Sequence, residues 1–190
     1  MDIKIKPLFP TLIGQFNDST FVDKVTPLAS QLLQTNSKKW GYKNTFNDKE
    51  SHNIINSNLY IKEYILNLGH QYLLQIGYKP QFLLDSFIFF SHMEKNDYHN
   101  PHLHDGSLLS GVVYLEVPSN SSPIIFYDPR EIKNFNGLIK LPNTPINQTN
   151  IPFIPKKDDI LIWESWITHE VPPNNSDSRK TLVFNIFYKK

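Results

Sequence analysis

Three of the chain's seven histidines fall within six residues, in His99-Asn100-Pro101-His102-Leu103-His104, just ahead of the apolar run Leu108–Val117. Neutral imidazole is the commonest protein ligand for first-row metals. Along extended backbone, residues two apart share a face. His102 and His104 therefore project together and can converge on one ion, while Asp105 points away. His99, set back by the step through Pro101, lines the approach. The competing reading is a pair of hydrated loop histidines, and three neighbours count against it. The apolar run after the pair would support a ligand rigidly. His169 follows a second apolar run, Ile160-Leu161-Ile162-Trp163, through a short turn. Arg179 stands ten residues beyond His169 and opens a third run. Thr181, Val183 and Asn185 share the face of Arg179, and Leu182, Phe184 and Ile186 take the other. A guanidinium at the mouth of such a sheet is a bidentate clamp for a carboxylate. In a Ser-Asp-Ser-Arg turn it can equally be an exposed surface charge.

The elements that position these residues follow from the hydrophobic pattern. Asp18-Ser19-Thr20 offers an N-cap to a helix running to about Asn36, with Phe21, Val22, Val25, Leu28, Leu32 and Leu33 on one face and Pro27 as a possible kink. Residues 37–53 are polar and loop-like, with His52 a loop histidine. A second helix is predicted over 56–76, with Ile61, Ile65, Leu68, Tyr72 and Ile76 on its buried face and His70 on its solvated one. Short extended segments precede the helices, at Ile3–Ile5 and Thr11–Phe16. From residue 80 the pattern becomes β: Phe82–His92, Leu108–Val117, Pro123–Tyr127, Ile151–Ile154, Asp159–Trp163 and Lys180–Tyr188 read as strands. The proline-rich stretch 134–155, with Pro142, Pro145, Pro152 and Pro155, reads as a long loop or lid. Helices followed by many strands point to helices packed outside an antiparallel barrel or sandwich. The expected organisation is a single domain over 1–190, with extended segments and two helices in 1–79 and the β core in 80–190.

Composition narrows the chemistry. Charged residues make up 19% of the chain, which fits a globular protein rather than a disordered one. A net charge of +1 argues against a generic nucleic-acid coat. There is no cysteine, so disulfides, thiolate nucleophiles and thiolate-held metals are excluded. Any metal must be held by imidazole, carboxylate or carbonyl oxygen. The N-terminus is charged and unlike a signal peptide. No stretch approaches a membrane span. A soluble, cytoplasmic protein is expected.

Together, His102-Leu103-His104, His169 and Arg179 resemble the iron(II)- and 2-oxoglutarate-dependent oxygenases. In that family an H-x-D/E pair on an early strand, a distal histidine and an Arg or Lys about ten residues later occur in this order. Ser110-Gly111-Val112-Val113-Tyr114-Leu115, Asp128-Pro129-Arg130 and Arg179 to Phe184-Asn185 are similar to a branch found in marine bacteria and phages, a resemblance that leaves a phage-encoded origin open. The resemblance spans about residues 80–188. It implies a double-stranded β-helix (jelly roll), mainly β, with N-terminal helices outside. It further implies iron(II) (Fe2+), 2-oxoglutarate as cosubstrate and O2, with hydroxylation of a small-molecule or peptide substrate. His102, His104 and His169 would hold the metal. Arg179 would pair with the distal carboxylate of 2-oxoglutarate, and Tyr114, Thr181 and Asn185 would bind or shape the cosubstrate pocket.

One departure stands out: His104 occupies the position of the family's carboxylate. Asp105, a remote acid or water remain alternatives for the third ligand. Trp163 and Trp166 read as core and rim packing, His92 as an edge histidine with its own partner, and Arg130 as a brace for Asp128-Pro129 or an anion contact. Two other classes stay open. One is a cupin-like metal-binding protein without oxygenase activity, and the other is a metal-free structural β-domain. A homodimer is compatible with the fold.

Overall fold

A computed structural model describes residues 4, 8–34, 36, 38–39, 41–80, 84–130 and 148–189. The extended reading at Ile3–Ile5, the start of the Phe82–His92 strand and residues 134–147 of the predicted lid, with Pro142 and Pro145, lie outside the described residues. In chain order the elements are β1 (Ile13–Asn17), α1 (Ser19–Gln34), β2 (Lys38–Lys39), β3 (Tyr42–Asn44), α2 (Lys49–Ser57) and α3 (Leu59–Gln75). Then come β4 (Leu84–Met93), β5 (His99–His102), β6 (Leu109–Glu116), β7 (Ile124–Tyr127), β8 (Asn150–Phe153), β9 (Asp159–Glu164), β10 (His169–Val171) and β11 (Arg179–Tyr188). They form a seven-stranded sheet, β1-β9-β6-β11-β4-β3-β2, and a four-stranded sheet, β5-β10-β7-β8, with antiparallel pairing throughout. This is the mainly β, jelly-roll architecture expected.

Strand alternation divides the molecule into two apolar layers. Ile88, Phe90, Leu109, Val113, Ile160, Ile162, Leu182, Phe184 and Ile186 face the helices, packing on Phe21, Val25, Ile55, Ile61, Ile65 and Leu73. Val112, Tyr114, Leu161 and Trp163 face the other way and meet Ile124, Phe126 and Ile167, closing a second core towards the four-stranded sheet. The helices approach closely. A side chain at Gly69 of α3 would run into Ile186 of β11, so glycine is what lets α3 lie flat on the sheet.

The helical face predicted around Ile61 is confirmed, but the single helix over 56–76 is two. Asn58 breaks it, capping the end of α2 and accepting the Ile61 N–H at 3.2 Å to start α3. The polar stretch 37–53 holds the hairpin β2–β3 and most of α2. Asp48 caps α2 by accepting from the Glu50 N–H at 3.2 Å. Only Ser51 and Ile55 of α2 are buried, too sparse an apolar stripe to read as a helix. α1 begins where expected, with the Asp18 carboxylate accepting from the Phe21 N–H at 2.9 Å, and continues through Pro27. Among the described residues no helix is long and apolar enough to cross a membrane.

Candidate metal centre

Two of the three histidines are brought together by sheet pairing. β5 and β10 run antiparallel with His102 directly opposite His169, and His169 is flanked on its other side by Phe126 of β7. His169 is thus an interior-strand residue, 4% exposed. The strand ends at His102, short of the extended stretch expected through His104. His104 instead enters a turn in which Gly106 takes φ 82°. Its N–H donates to Ser165 O at 3.1 Å, which ties it to the turn between β9 and β10. The ring centroids lie 5.0 Å (His102–His104), 4.3 Å (His102–His169) and 5.2 Å (His104–His169) apart. One nitrogen from each ring falls within 4.8 Å of the others. Nitrogens sharing one ion at about 2.1 Å lie roughly 3 to 4 Å apart, so ångström-scale side-chain movement closes the site.

The ring chemistry suits a metal. His102 Nδ1 lies 2.7 Å from Asn100 O, and His169 Nδ1 lies 2.9 Å from Ile167 O. A carbonyl only accepts, so Nδ1 carries the proton in both rings and Nε2 keeps its lone pair. Burial pushes His169 down to about 3 and His104 to about 4, and it also lowers His102; repulsion among the rings adds to the shift in His169 and His104. The downward shifts favour the neutral form that a metal ligand requires. His99 stacks on His102 at 3.8 Å and lies 3.5 Å from the Tyr42 hydroxyl, and burial takes it down to about 3. It lines the cavity, as expected, outside the converging trio. Asp105 is exposed. No described residue lining the cavity is an acid.

Arg179 lies on the wall of the same cavity, of about 50 Å³. It is 2% exposed, and its Nε has no partner among the described residues. The remaining guanidinium contacts are long and neutral: Met93 Sδ at 3.6 Å and the Tyr114 hydroxyl at 3.5 Å, with the Tyr114 ring 5.1 Å from the guanidinium carbon. Among the described residues no carboxylate pairs with it. An uncompensated buried cation costs several kcal/mol, so this guanidinium suits an anionic ligand. Trp163 Nε1, also buried without a partner, adds a second orphaned donor to the lining. Three neutral imidazoles, a buried cation with no counter-charge and spare donors fit a divalent metal beside a carboxylate-bearing ligand.

Thr181 lines the cavity, two residues along β11 from Arg179. Tyr114 stands behind Arg179, wholly buried, and burial raises its hydroxyl to about 12. Asn185 does not line the cavity; its side-chain oxygen accepts from Ser110 Oγ at 2.7 Å. Trp163 packs edge-on to His169 at 4.9 Å, whereas Trp166 is 48% exposed. Arg130 folds back onto Asp128, and His92 Nε2 meets Ser178 Oγ at 3.2 Å. His70 is exposed, while His52 sits on α2 against Phe87. Tyr42 and Met93, both on the cavity wall, escaped the sequence reading. Tyr42 lies in the polar stretch with no motif around it, and Met93 ends a strand whose apolar pattern speaks only of packing.

No curated protein matches the sequence. Among solved structures, the chain is similar to a Pseudomonas putida prolyl-4-hydroxylase, with TM-score 0.60 and 14% identity over 95% of this chain and 94% of that one. It is also similar to HygX from Streptomyces hygroscopicus, solved with nickel and 2-oxoglutarate bound, with TM-score 0.60 and 11% identity over 94% and 83%. The epimerase SnoN from nogalamycin biosynthesis gives TM-score 0.63 and 14% identity over 94% and 78%. These likenesses show the fold. The family model described as "Putative 2OG-Fe(II) oxygenase" matches residues 88–185, more than half of the chain and the whole span from β4 to the middle of β11. This protein therefore belongs to the 2-oxoglutarate- and iron(II)-dependent oxygenases, enzymes that use iron(II), 2-oxoglutarate and O2.

Proposed function

We propose that His102, His104 and His169 hold the iron(II), that Arg179 binds the distal carboxylate of 2-oxoglutarate, and that the enzyme hydroxylates a small-molecule or peptide substrate. The observation that supports this most is the pairing of two features in one cavity: three converging neutral imidazoles and a buried guanidinium with no carboxylate among the described residues. Bound iron(II) with 2-oxoglutarate would supply the oxygen-activating chemistry.

The chain's own residues supply geometry and exclusion. Asn100 O and Ile167 O fix the protonated Nδ1 of His102 and His169 and so aim Nε2 inward. Arg179 offers its fork to a carboxylate, with Tyr114 behind it as a wall that blocks retreat. Thr181 lies beside it and can donate to the same ligand. Phe89, Val112, Ile124 and Val171 make the rest of the wall apolar, which keeps water from the reacting centre and strengthens each charge contact within it. Tyr114 and Asn185 then act on the pocket indirectly, by bracing rather than touching the cosubstrate.

Anaerobic addition of iron(II) and 2-oxoglutarate should give a weak visible charge-transfer band, absent in His169→Ala. Calorimetry showing neither metal nor 2-oxoglutarate binding to the wild-type protein would sink the proposal. Metal binding without 2-oxoglutarate binding would leave a metal-binding jelly roll of another kind.

A further inference from the structure

Outside the cavity, a buried polar chain leads to His104. Ser110 on β6 and Asn185 on β11 are cross-strand partners, and Ser110 Oγ donates to Asn185 Oδ1 at 2.7 Å. Ser110 Oγ also lies 2.7 Å from Ser165 Oγ. The single Ser110 proton is committed to Asn185, so Ser165 is the donor in that second bond. Ser110 and Ser165 are each 1% exposed, and Asn185 is 7% exposed. Ser165 is further pinned by its N–H, which donates to Leu108 O at 3.1 Å, and its carbonyl accepts the His104 N–H at 3.1 Å.

These bonds meet at an asymmetry among the histidines. The rings of His102 and His169 are each fixed through Nδ1 to a carbonyl two residues back. His104 lies beyond the end of β5, and no such bond holds its ring among the described residues. Its backbone is held instead, by the N–H bond to Ser165 O across to the neighbouring turn and by its own carbonyl, which accepts the Ser107 N–H at 3.2 Å within the local turn. A polar chain in a low-dielectric core is rigid when every member is satisfied, and here each link has its partner.

We propose that Ser165, Ser110 and Asn185 are positioning residues for His104. Their hydrogen-bond chain transmits the rigidity of the seven-stranded sheet to the one ligand that no strand holds. Asn185 thereby takes a different task from contact with the cosubstrate. The inference rests on His104 being a ligand, as read above.

The test uses the full chain and cobalt(II) alone as probe, titrated by its visible absorption. Groups behind metal ligands typically contribute about 10- to 100-fold to metal affinity. Ser165→Ala and Ser110→Ala should each weaken cobalt(II) about tenfold. In the metal-free variants the His104 amide should exchange hydrogen faster, while the Leu182 amide in the middle of β11 keeps its protection. Ser122→Ala is the control. Ser122 is also 1% exposed, and its Oγ donates at 2.7 Å to Pro173 O, outside the Ser110–Ser165–Asn185 chain. It should leave cobalt(II) affinity unchanged. Affinity within twofold of wild type in both Ser165→Ala and Ser110→Ala overturns the inference. So does an equal loss in all three variants, which would mark a general effect of removing a buried hydroxyl. Wild-type protein that binds no cobalt(II) overturns the ligand assignment itself, a different result from either.

Discussion

At Arg179 a buried guanidinium faces a sulfur and a phenol and leaves its own Nε unpartnered among the described residues, where a structural arginine would face an acid. Losing one partner of a buried charge pair costs about 2–5 kcal/mol. Arg179→Gln is therefore expected to raise the 2-oxoglutarate Kd at least 30-fold, read by calorimetry in the presence of manganese(II). Manganese(II) affinity measured without 2-oxoglutarate should hold within a few-fold. Equal loss of both would point to collapse of the pocket. The spacing of His169 and Arg179 was legible in the sequence, as was the shared face of Thr181, because a ten-residue strand of alternating character allows one register only. The partnerless state of Arg179 was not legible. It depends on what Met93, Tyr42 and Tyr114 place around it, and those come from three other strands.

Among the elements, long and amphipathic ones could be read and short polar ones could not. β6 and β9 bury nearly every residue and announce themselves as apolar runs, and β11 is long enough for its alternation to show. β5 and β10, four and three residues long, hold two of the three proposed ligands yet have no hydrophobic period to detect, because histidine and proline fill β5 and pairing alone makes it a strand. β3 was likewise hidden, and it anchors an edge whose charges make a pH prediction. Glu94, just after β4, lies 2.9 Å from Lys43 and 3.0 Å from Lys38. The Lys43 and Lys38 ammonium groups pull it down to about 2. A carboxyl depressed in the folded state stabilises above its unfolded pKa, near 4.5, and that contribution fades as pH falls through the folded value. Urea unfolding of wild type and Glu94→Gln should show their largest stability difference at pH 7. The difference should narrow at pH 3 and at high salt, as befits a partly exposed network. A gap independent of pH would assign the effect to packing.

Across the whole molecule, the two-layer arrangement could be anticipated from helices followed by strands. The closure of the second layer rests on pairing between segments far apart in sequence, such as Phe126 with His169. One property of that layer reaches beyond architecture. Its cavity has no acid among the described lining residues, yet it gathers one permanent cation and three imidazoles that could together hold a divalent one. On the proposed reading, metal and dianionic ligand would cancel each other's charge where the described lining supplies no acid, and their binding would be thermodynamically linked. The linkage must be reciprocal: whatever factor 2-oxoglutarate adds to manganese(II) affinity, manganese(II) adds to that of 2-oxoglutarate. A factor of at least ten, about 1.4 kcal/mol, is expected in both titrations, and independent binding would contradict it. Linked in this way, the protein would hold its metal more tightly as 2-oxoglutarate rises, and its metal occupancy would report on cosubstrate supply before any turnover begins.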